Sequence, residues 1–577
     1  MESKNLILAI TLSVGILLIW SILFEAPPIE DPSINNQATE IKKEDGNKDA
    51  DLDFNSFDIG ETIVNSSEDI LSVDESLKNS QRIKIKTPSL SGSINLLGLK
   101  IDDLVLEKYN KTLESDSEKI RFLSPGDTRD GLEISFGWIK PKDSSFDVPD
   151  SKSLWSISNS STTLDENNEL VLEWSNNSGQ IFQTFISVDK DYLFNVKQVV
   201  KNNSSEEIII NNNSKVIRKK APQLSGMFIL HEGPIGVLKE ELELIDYDDL
   251  KEDKDVLNYE SDNGWIGITD KYWLAALIPD QNIPFKSIYA YDDNLGYVAY
   301  FRSLDSYSVK PNTKVEIDSK VFAGAKEADL LDLYQEKYNI YNFDLAIDWG
   351  WFYFITKPLF YAISYFYQLF GNFGIAIIIL TVITRIVFFP LANWSFVSMA
   401  KMKLLQPEMT RIKDLYKDDR QQQQQALMAL YKKEKVNPVS GCLPILIQIP
   451  FFFAIYKMLF ISIEMRHAPF YGWIEDLSVK DPTTIFNLFG LIPWDPPSFM
   501  IIGIWPILMG LTMYLQQKLN PAPPDPIQAK IFSFFPLFIT ILLSQFAAGL
   551  VIYWTTNNIL SILQQWIITR RTKIKTN

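Results

Sequence analysis

Cysteine is almost absent from these 577 residues. Cys442 stands alone, so no disulfide within the chain can staple the fold. Histidine is nearly as scarce, and His231 and His467 lie far apart, which leaves no Cys/His cluster for a metal. The short motifs of covalent and nucleotide chemistry are missing too: there is no GxSxG, no HExxH and no glycine-rich phosphate loop. These gaps point to a chain that is not an enzyme and carries neither metal nor cofactor. Acidic residues outnumber basic ones in the first part only. Residues 346–577 hold 20 Lys+Arg against 12 Asp+Glu, about +8, so of the net charge of -17 about -25 falls on residues 1–345. An acidic, Asn- and Ser-rich part is a poor partner for nucleic acid or anionic lipid, and no nucleic-acid binding is expected. A basic part fits the inner face of a membrane.

Long apolar runs are what the sequence does have. Leu6–Phe24 (LILAITLSVGILLIWSILF) is long enough to cross ~30 Å of hydrocarbon. A cleaved signal peptide is the competing reading, but Phe24-Glu25-Ala26 and Ser21-Ile22-Leu23 both lack small residues at -3 and -1. Residues 1–26 therefore read as an uncleaved anchor with its N-terminus inside. Residues 27–79 are polar, acidic and poor in aromatics, and read as a disordered linker, because they cannot bury enough apolar area to offset chain entropy.

From 80 to 340 the pattern changes. Alternating runs such as RIKIK (82–86), GLEISFGW (131–138), LVLEW (170–174), IFQTFISV (181–188) and KVEIDSKVF (314–322) are punctuated by turn residues, and a helical stretch, Ala325–Tyr338, closes the region. Period two with this spacing predicts a large antiparallel β domain. Residues 349–370 (WGWFYFITKPLFYAISYFYQLF) are crowded with aromatics. Lys357-Pro358 argues for an amphipathic helix along the outer membrane face rather than a span, with a buried soluble helix as the alternative.

Five more apolar runs follow: Phe373–Leu391 within 371–398, then Leu443–Ile461, Phe499–Leu515, Ile531–Phe546 and Gly549–Ile568 within 438–569. The last two are joined so tightly that they are expected to form an antiparallel pair. Lys/Arg placement sets the topology. The segment 399–437 carries nine basic residues and the tail 570–577 carries Arg570, Arg571, Lys573 and Lys575, whereas the loop 462–498 has only Arg466 and Lys480. Both termini and 399–437 then fall in the cytoplasm and the β domain outside. The fold class expected is an α-helical polytopic membrane protein of six spans with a large all-β outer domain and a cytoplasmic helical hairpin.

Arg385 lies inside the apolar run NFGIAIIILTVITRIVFFPLAN. A central arginine costs roughly +2.5 to +3.5 kcal/mol on insertion scales. No span offers an interior Asp or Glu as partner. Polar groups are available at Thr381, Thr384, Gln448, Ser544, Gln545 and Thr555–Asn558, and Thr381, four residues before Arg385, shares its helix face. A wet cationic concavity satisfies these residues; an arginine snorkelling to the inner surface is the other reading. In 399–437, Met402, Met409 and Tyr416 before a break near Asp418-Asp419, and Tyr431 after it, fall at helical spacing. They suggest two helices pairing as a hairpin that receives apolar segments or anionic lipid, or else a solvated connector.

These residues also carry a resemblance. KMKLLQP (401–407), ALYK (429–432), VNPVSGCLPILIQIPFFFAIYKML (436–459) and GLVIYWTTNNILSILQQW (549–566) resemble the YidC family of membrane protein insertases, and NLILAITLSVGILLIW with LSGSINLLGLKIDDLVLEKY (90–109) looks like its Gram-negative form. The resemblance implies insertion of newly made proteins into the inner membrane, alone or with the Sec translocon, with ribosome or targeting factors and membrane lipids as further partners. It implies a periplasmic β-supersandwich, an insertase core of five spans, a cytoplasmic hairpin that helps recruit substrates, and a hydrophilic groove with a functional arginine. Arg385 and Thr381 match groove positions by their place before FFPLAN; Gln448 and Asn557 are polar candidates for the same groove. Where the family often has two tyrosines, this chain has Tyr553 and Trp554, so a hydroxyl at 554 is not available while an aromatic wall is kept. A transporter would usually show repeated broken helices, and an intramembrane protease would need paired Asp or Ser/His; neither pattern is found. An assembly scaffold acting through the β domain remains a separate possibility.

Overall fold

A computed structural model describes residues 70–576 apart from 115, 160, 223–229, 254–255, 418, 437–442, 490–491, 495, 498–500 and 521–525. The expected anchor 1–26 and most of the expected linker lie outside the described residues. Residues 70–79, assigned to that linker, are ordered: a capping box between Ser72 and Glu75 starts the helix Val73–Lys78, and Ser76 donates to Asp127 at 2.6 Å.

The alternating region folds as two large sheets. One runs from Leu257–Ser261 through Phe285–Asp292, Gly296–Ser303, Ile208–Arg218, Leu132–Ile139, Lys100–Asn110, Leu90–Asn95 and Arg82–Lys86 to Thr163–Leu164. The other runs from Glu241–Leu244 through Gly233–Leu238, Gly264–Thr269, Trp273–Ile278, Thr313–Ala325, Leu193–Asn202, Gln180–Val188 and Leu170–Ser175 to Ser156–Ile157. Neighbours pair antiparallel except Arg82–Lys86 with Thr163–Leu164. Where one strand face is wet, the sequence alternates as expected: Ile83 and Ile85 are buried between more exposed Arg82, Lys84 and Lys86. Two strands of the second sheet, Gly233–Leu238 and Gly264–Thr269, are buried at every position, with Trp265 fully enclosed.

Ten helices carry the argument from here: α1 Ala328–Tyr338, α2 Tyr353–Phe370, α3 Phe373–Val387, α4 Phe389–Leu404, α5 Gln406–Leu415, α6 Arg420–Lys433, α7 Leu443–Ile461, α8 Ile504–Leu519, α9 Pro526–Leu543 and α10 Ala548–Thr576. Among the described residues no single helix is both long and apolar enough to cross a membrane; α3 and α4 meet that test only together, across a 67° bend. The expected span 373–391 is thus broken at Phe388. Pro390 has no N–H to give to the carbonyl four residues earlier, so α4 restarts with proline in its first turn. Pro407 restarts α5 in the same way, and the expected hairpin 399–437 consists of the end of α4 followed by the α5–α6 pair. In α2, Pro358 does not end the helix. It lies in the second turn, and the bond it cannot give is the one to the Phe354 carbonyl four residues earlier. Thr356, Phe360 and Ile363 are buried, while Tyr353, Phe354, Tyr365 and Phe370 are exposed, so one side of α2 packs on the protein and the other presents aromatic rings.

The last two helices do not form the tight pair that their short connection suggests. α8 packs against both of them, and the small cluster of Met509, Leu543 and Val551 joins all three. Gly510 lets α9 approach: a Cβ there would meet the Thr540 hydroxyl at 2.0 Å. On the other side of α8, Asn558 of α10 donates to Thr512 at 3.2 Å.

One continuous apolar core runs from the sandwich into α2, α3, α7 and α10. Polar groups pin the junction. Lys457 at the end of α7 pairs with Asp348 at 2.6 Å, and Lys357 of α2 pairs with Asp344 at 2.7 Å and Asp332 at 3.1 Å. Arg466 donates to the carbonyls of Asn110 (2.7 Å) and Lys111 (3.2 Å) in the β domain. Glu464, just past α7, accepts from the Ala328 N–H at 3.0 Å and so caps α1 from outside. Its other oxygen, Oε2, is enclosed without a hydrogen-bond partner. Burial, with Glu327 and Asp329 nearby, raises the Glu464 carboxyl to about 7.

A raised carboxyl favours the protonated folded state. Its contribution to stability is therefore complete below about pH 4.5 and is lost as pH rises through about 7. Glu464→Gln should remove that dependence and stabilise the full chain in detergent by roughly 2 kcal/mol at pH 8. Melting curves from pH 5 to 8 check this, and an unchanged slope in the variant would refute it.

Candidate functional site

The bend at Phe388 matters because of what precedes it. Arg385 lies in the last turn of α3, where the final carbonyls of the helix carry partial negative charge. A cation there is favoured without a carboxylate. Its guanidinium reaches α10: Nε donates to the Asn557 side-chain oxygen at 2.8 Å, and one terminal nitrogen donates to the Asn557 carbonyl at 3.2 Å and to Ser561 Oγ at 2.5 Å. With its amide oriented so that donors meet acceptors, Gln448 of α7 turns its oxygen to the two terminal nitrogens, at 3.0 and 3.2 Å. Three helices thus converge on one cation, and every one of these acceptors is uncharged. The planar five-donor fork of arginine suits this; a lysine ammonium could not span the same acceptors.

These groups line a concavity holding about 480 Å³ of non-protein space, continuous with the outside. Its polar side is Thr381, Thr384, Arg385, Gln448 and Asn557; its apolar side is Phe388, Leu391, Ala392, Phe451 and Tyr553. The two threonine hydroxyls donate back to their own helix, Thr381 to Ile377 at 2.6 Å and Thr384 to Leu380 at 2.8 Å. Their donors are spent, and acceptor lone pairs remain. Phe388 and Phe451 meet edge to face at 5.2 Å and close one wall. The arrangement offers positive potential and hydrogen bonding beside an apolar slide, with no nucleophile or acid–base pair among these residues.

Of the residues singled out from sequence, Thr381, Arg385, Gln448, Tyr553 and Asn557 come together here. Trp554 does not line the concavity. Adjacent helical residues point about 100° apart, and Trp554 packs edge-on against Phe452 at 4.8 Å, beside the α8–α9–α10 cluster. Ser544 and Gln545 bond to each other at 3.2 Å away from Arg385, and Gln545 also accepts from Lys480. Ser561 was missed. Its signal is its spacing, one turn after Asn557 on the same face. In the α5–α6 pair, Met409 is buried and accepts from the Tyr431 hydroxyl at 3.8 Å, while Gln423 donates to the Lys413 carbonyl at 3.1 Å. Met402 and Tyr416 are half-buried, on α4 and just past α5. Met409 therefore joins the two helices instead of facing outward.

A cationic concavity between apolar helices, with a β sandwich docked at one end of the bundle, defines a membrane protein without a catalytic centre of its own at this site. Known families agree. The model of the 60Kd inner membrane protein family matches residues 365–576, and that of the YidC periplasmic domain matches residues 82–362. A membrane protein insertase YidC of Pelagibacter ubique is 48% identical over the full length of both chains, and one of Rickettsia felis is 46% identical over 98% of this chain and 99% of its own. A solved structure of an active YidC insertase shares 17% identity, covering 84% of this chain and 91% of that one with a TM-score of 0.35. The chain belongs to the YidC family of membrane protein insertases.

Proposed function

We propose that this non-enzymatic chain inserts newly made proteins into the bacterial inner membrane by way of the concavity around Arg385. The observation that carries the reading is the guanidinium itself, held by neutral acceptors from α7 and α10 and left with its charge uncompensated by any of them. A polar or acidic flank of an incoming chain must cross hydrocarbon at a cost of several kcal/mol per charge. A wet, positive recess partway across shortens that barrier. The apolar wall of Phe388, Phe451 and Tyr553 then hands the following segment to lipid. Hydrophobic partitioning and membrane potential supply the drive.

The same reading extends to topology and partners. Six spans alternate, formed by Leu6–Phe24, the α3–α4 pair, α7, α8, α9 and α10, the last five making the core. The β domain stands in the periplasm, α2 lies along the outer face, and the α5–α6 hairpin and both termini are cytoplasmic. The Lys/Arg distribution supports this orientation. Partners are nascent membrane proteins, the Sec translocon, the ribosome or targeting factors, and membrane lipid.

Photocrosslinkers at Thr381 and Trp554 test the path. A stalled nascent membrane protein is expected to react from 381, inside the concavity, at several times the yield from 554, which packs away from it. Equal yields, or reaction from 554 alone, would move the path elsewhere.

A further inference from the structure

The loop between α7 and α8 is not a slack connector. Asp481 is fully buried and accepts from Trp473 Nε1 at 3.1 Å, from Thr483 at 2.7 Å and from the Trp505 N–H at 3.0 Å, while Thr483 Oγ1 accepts from the Ile504 N–H at 3.0 Å. Together they cap the N-terminus of α8 and fix the loop over it. Gly503 allows the close fit, since a Cβ there would meet the Asp481 carboxyl at 2.3 Å.

What this fixed loop presents is apolar. No charged residue occurs from Pro482 to Trp494. Ile485, Phe486, Leu488, Phe489, Ile492 and Trp494 are each between 38% and 53% exposed. Leu488 (φ 50°) and Phe489 (φ 59°) both hold left-handed backbone, which bulky residues rarely adopt. The turn keeps that conformation with its apolar side chains outward. The base of the loop continues into the aromatic helix α2: Asn372, between α2 and α3, donates to the Pro469 carbonyl at 3.4 Å, and Phe470 fills the space over Gly374. The exposed Tyr365, Leu369 and Phe370 end α2 at that point.

We propose that residues 482–489, with Ile492 and Trp494, dip into the outer leaflet of the bilayer, a second interfacial anchor beside α2. Water would leave an uncharged aromatic patch exposed at the end of a membrane bundle, whereas the interface receives Trp at its rim and Phe, Leu and Ile below it. The proposal rests on the spanning topology above and adds a lipid contact outside the spans.

The test uses the full chain with Cys442→Ala and a single new cysteine, Phe489→Cys, labelled with an environment-sensitive fluorophore in vesicles of phosphatidylethanolamine and phosphatidylglycerol. Emission should shift to the blue. A nitroxide near the lipid headgroup should quench it at least twofold more than one deep in the chain, and iodide should quench it little. Ile492→Cys should behave alike. Iodide quenching without nitroxide quenching would put the loop in water, and protection from both would mean that protein covers it; either result overturns the proposal. Ile541→Cys on the exposed face of α9 is the topology control. If the deep nitroxide fails to quench it, the spanning reading fails and takes this proposal with it.

Discussion

Arg385→Ala should lower the insertion of substrates with an acidic translocated tail by about 10- to 100-fold in vesicles holding the purified full chain. A charge-assisted hydrogen bond is worth roughly 1.5–3 kcal/mol, and 1.4 kcal/mol is tenfold in rate. The variant removes the positive potential of the concavity and the donors that an incoming carboxylate would meet. Folding should survive. Asn557, Ser561 and Gln448 then face a wet recess in which water can replace the guanidinium. Substrates with a short neutral tail should insert nearly as before. Arg385→Lys should recover only part of the loss, because an ammonium keeps the charge but cannot hold α7 and α10 together as the fork does. Protease protection of the translocated tail measures each case. Equal insertion of acidic and neutral substrates by Arg385→Ala would remove the arginine from the mechanism. A variant that inserts neither class while retaining its proteolytic pattern would make the arginine a structural organiser of the bundle.

The sequence states what local physics determines. Alternation marks the strands whose two faces differ, as at Arg82–Lys86, and leaves Gly233–Leu238 and Gly264–Thr269 harder to read, because both of their faces are covered. The anomaly of Arg385 is legible from hydropathy alone, and four of its partners in the concavity could be named from polarity and spacing. The broken helix was less visible. Hydropathy runs on past Phe388, and only the missing N–H of Pro390 divides α3 from α4. That break changes what Arg385 is: a residue in the last turn of a helix, stabilised by its carbonyl end, and not a charge stranded in mid-span. Trp554 shows the opposite failure. Being next to Tyr553 in sequence says nothing of facing the same way, since neighbouring helical residues diverge by about 100°. The expected α9–α10 pair failed because a short connection limits only the ends, and Gly510 of α8 gave α9 another neighbour.

The link between the β domain and the bundle was not legible at all, because its charges come from distant parts of the chain. Lys457 and Asp348 are 109 residues apart. Their side chains are only 12% and 21% exposed, and Asp348 also accepts from the backbone N–H groups of His231 (3.4 Å) and Gly350 (3.1 Å). One carboxylate thus ties the β domain, the approach to α2 and the end of α7. Asp348→Ala should destabilise the full chain in detergent by about 3 kcal/mol, because it leaves a mostly enclosed lysine without its carboxylate and two N–H groups without their acceptor. A surface pair would give less than about 1 kcal/mol. Asp348→Asn, which keeps an oxygen for the N–H groups, should cost less than the alanine. The double variant Asp348→Ala, Lys457→Leu should regain more than half of the loss, because removing both charges leaves no enclosed cation to solvate. Chemical denaturation of the three variants measures this. If the double variant is as unstable as Asp348→Ala, the loss lies in the Asp348 turn and its backbone bonds, and the Lys457 pair is not what fastens the β domain to the bundle.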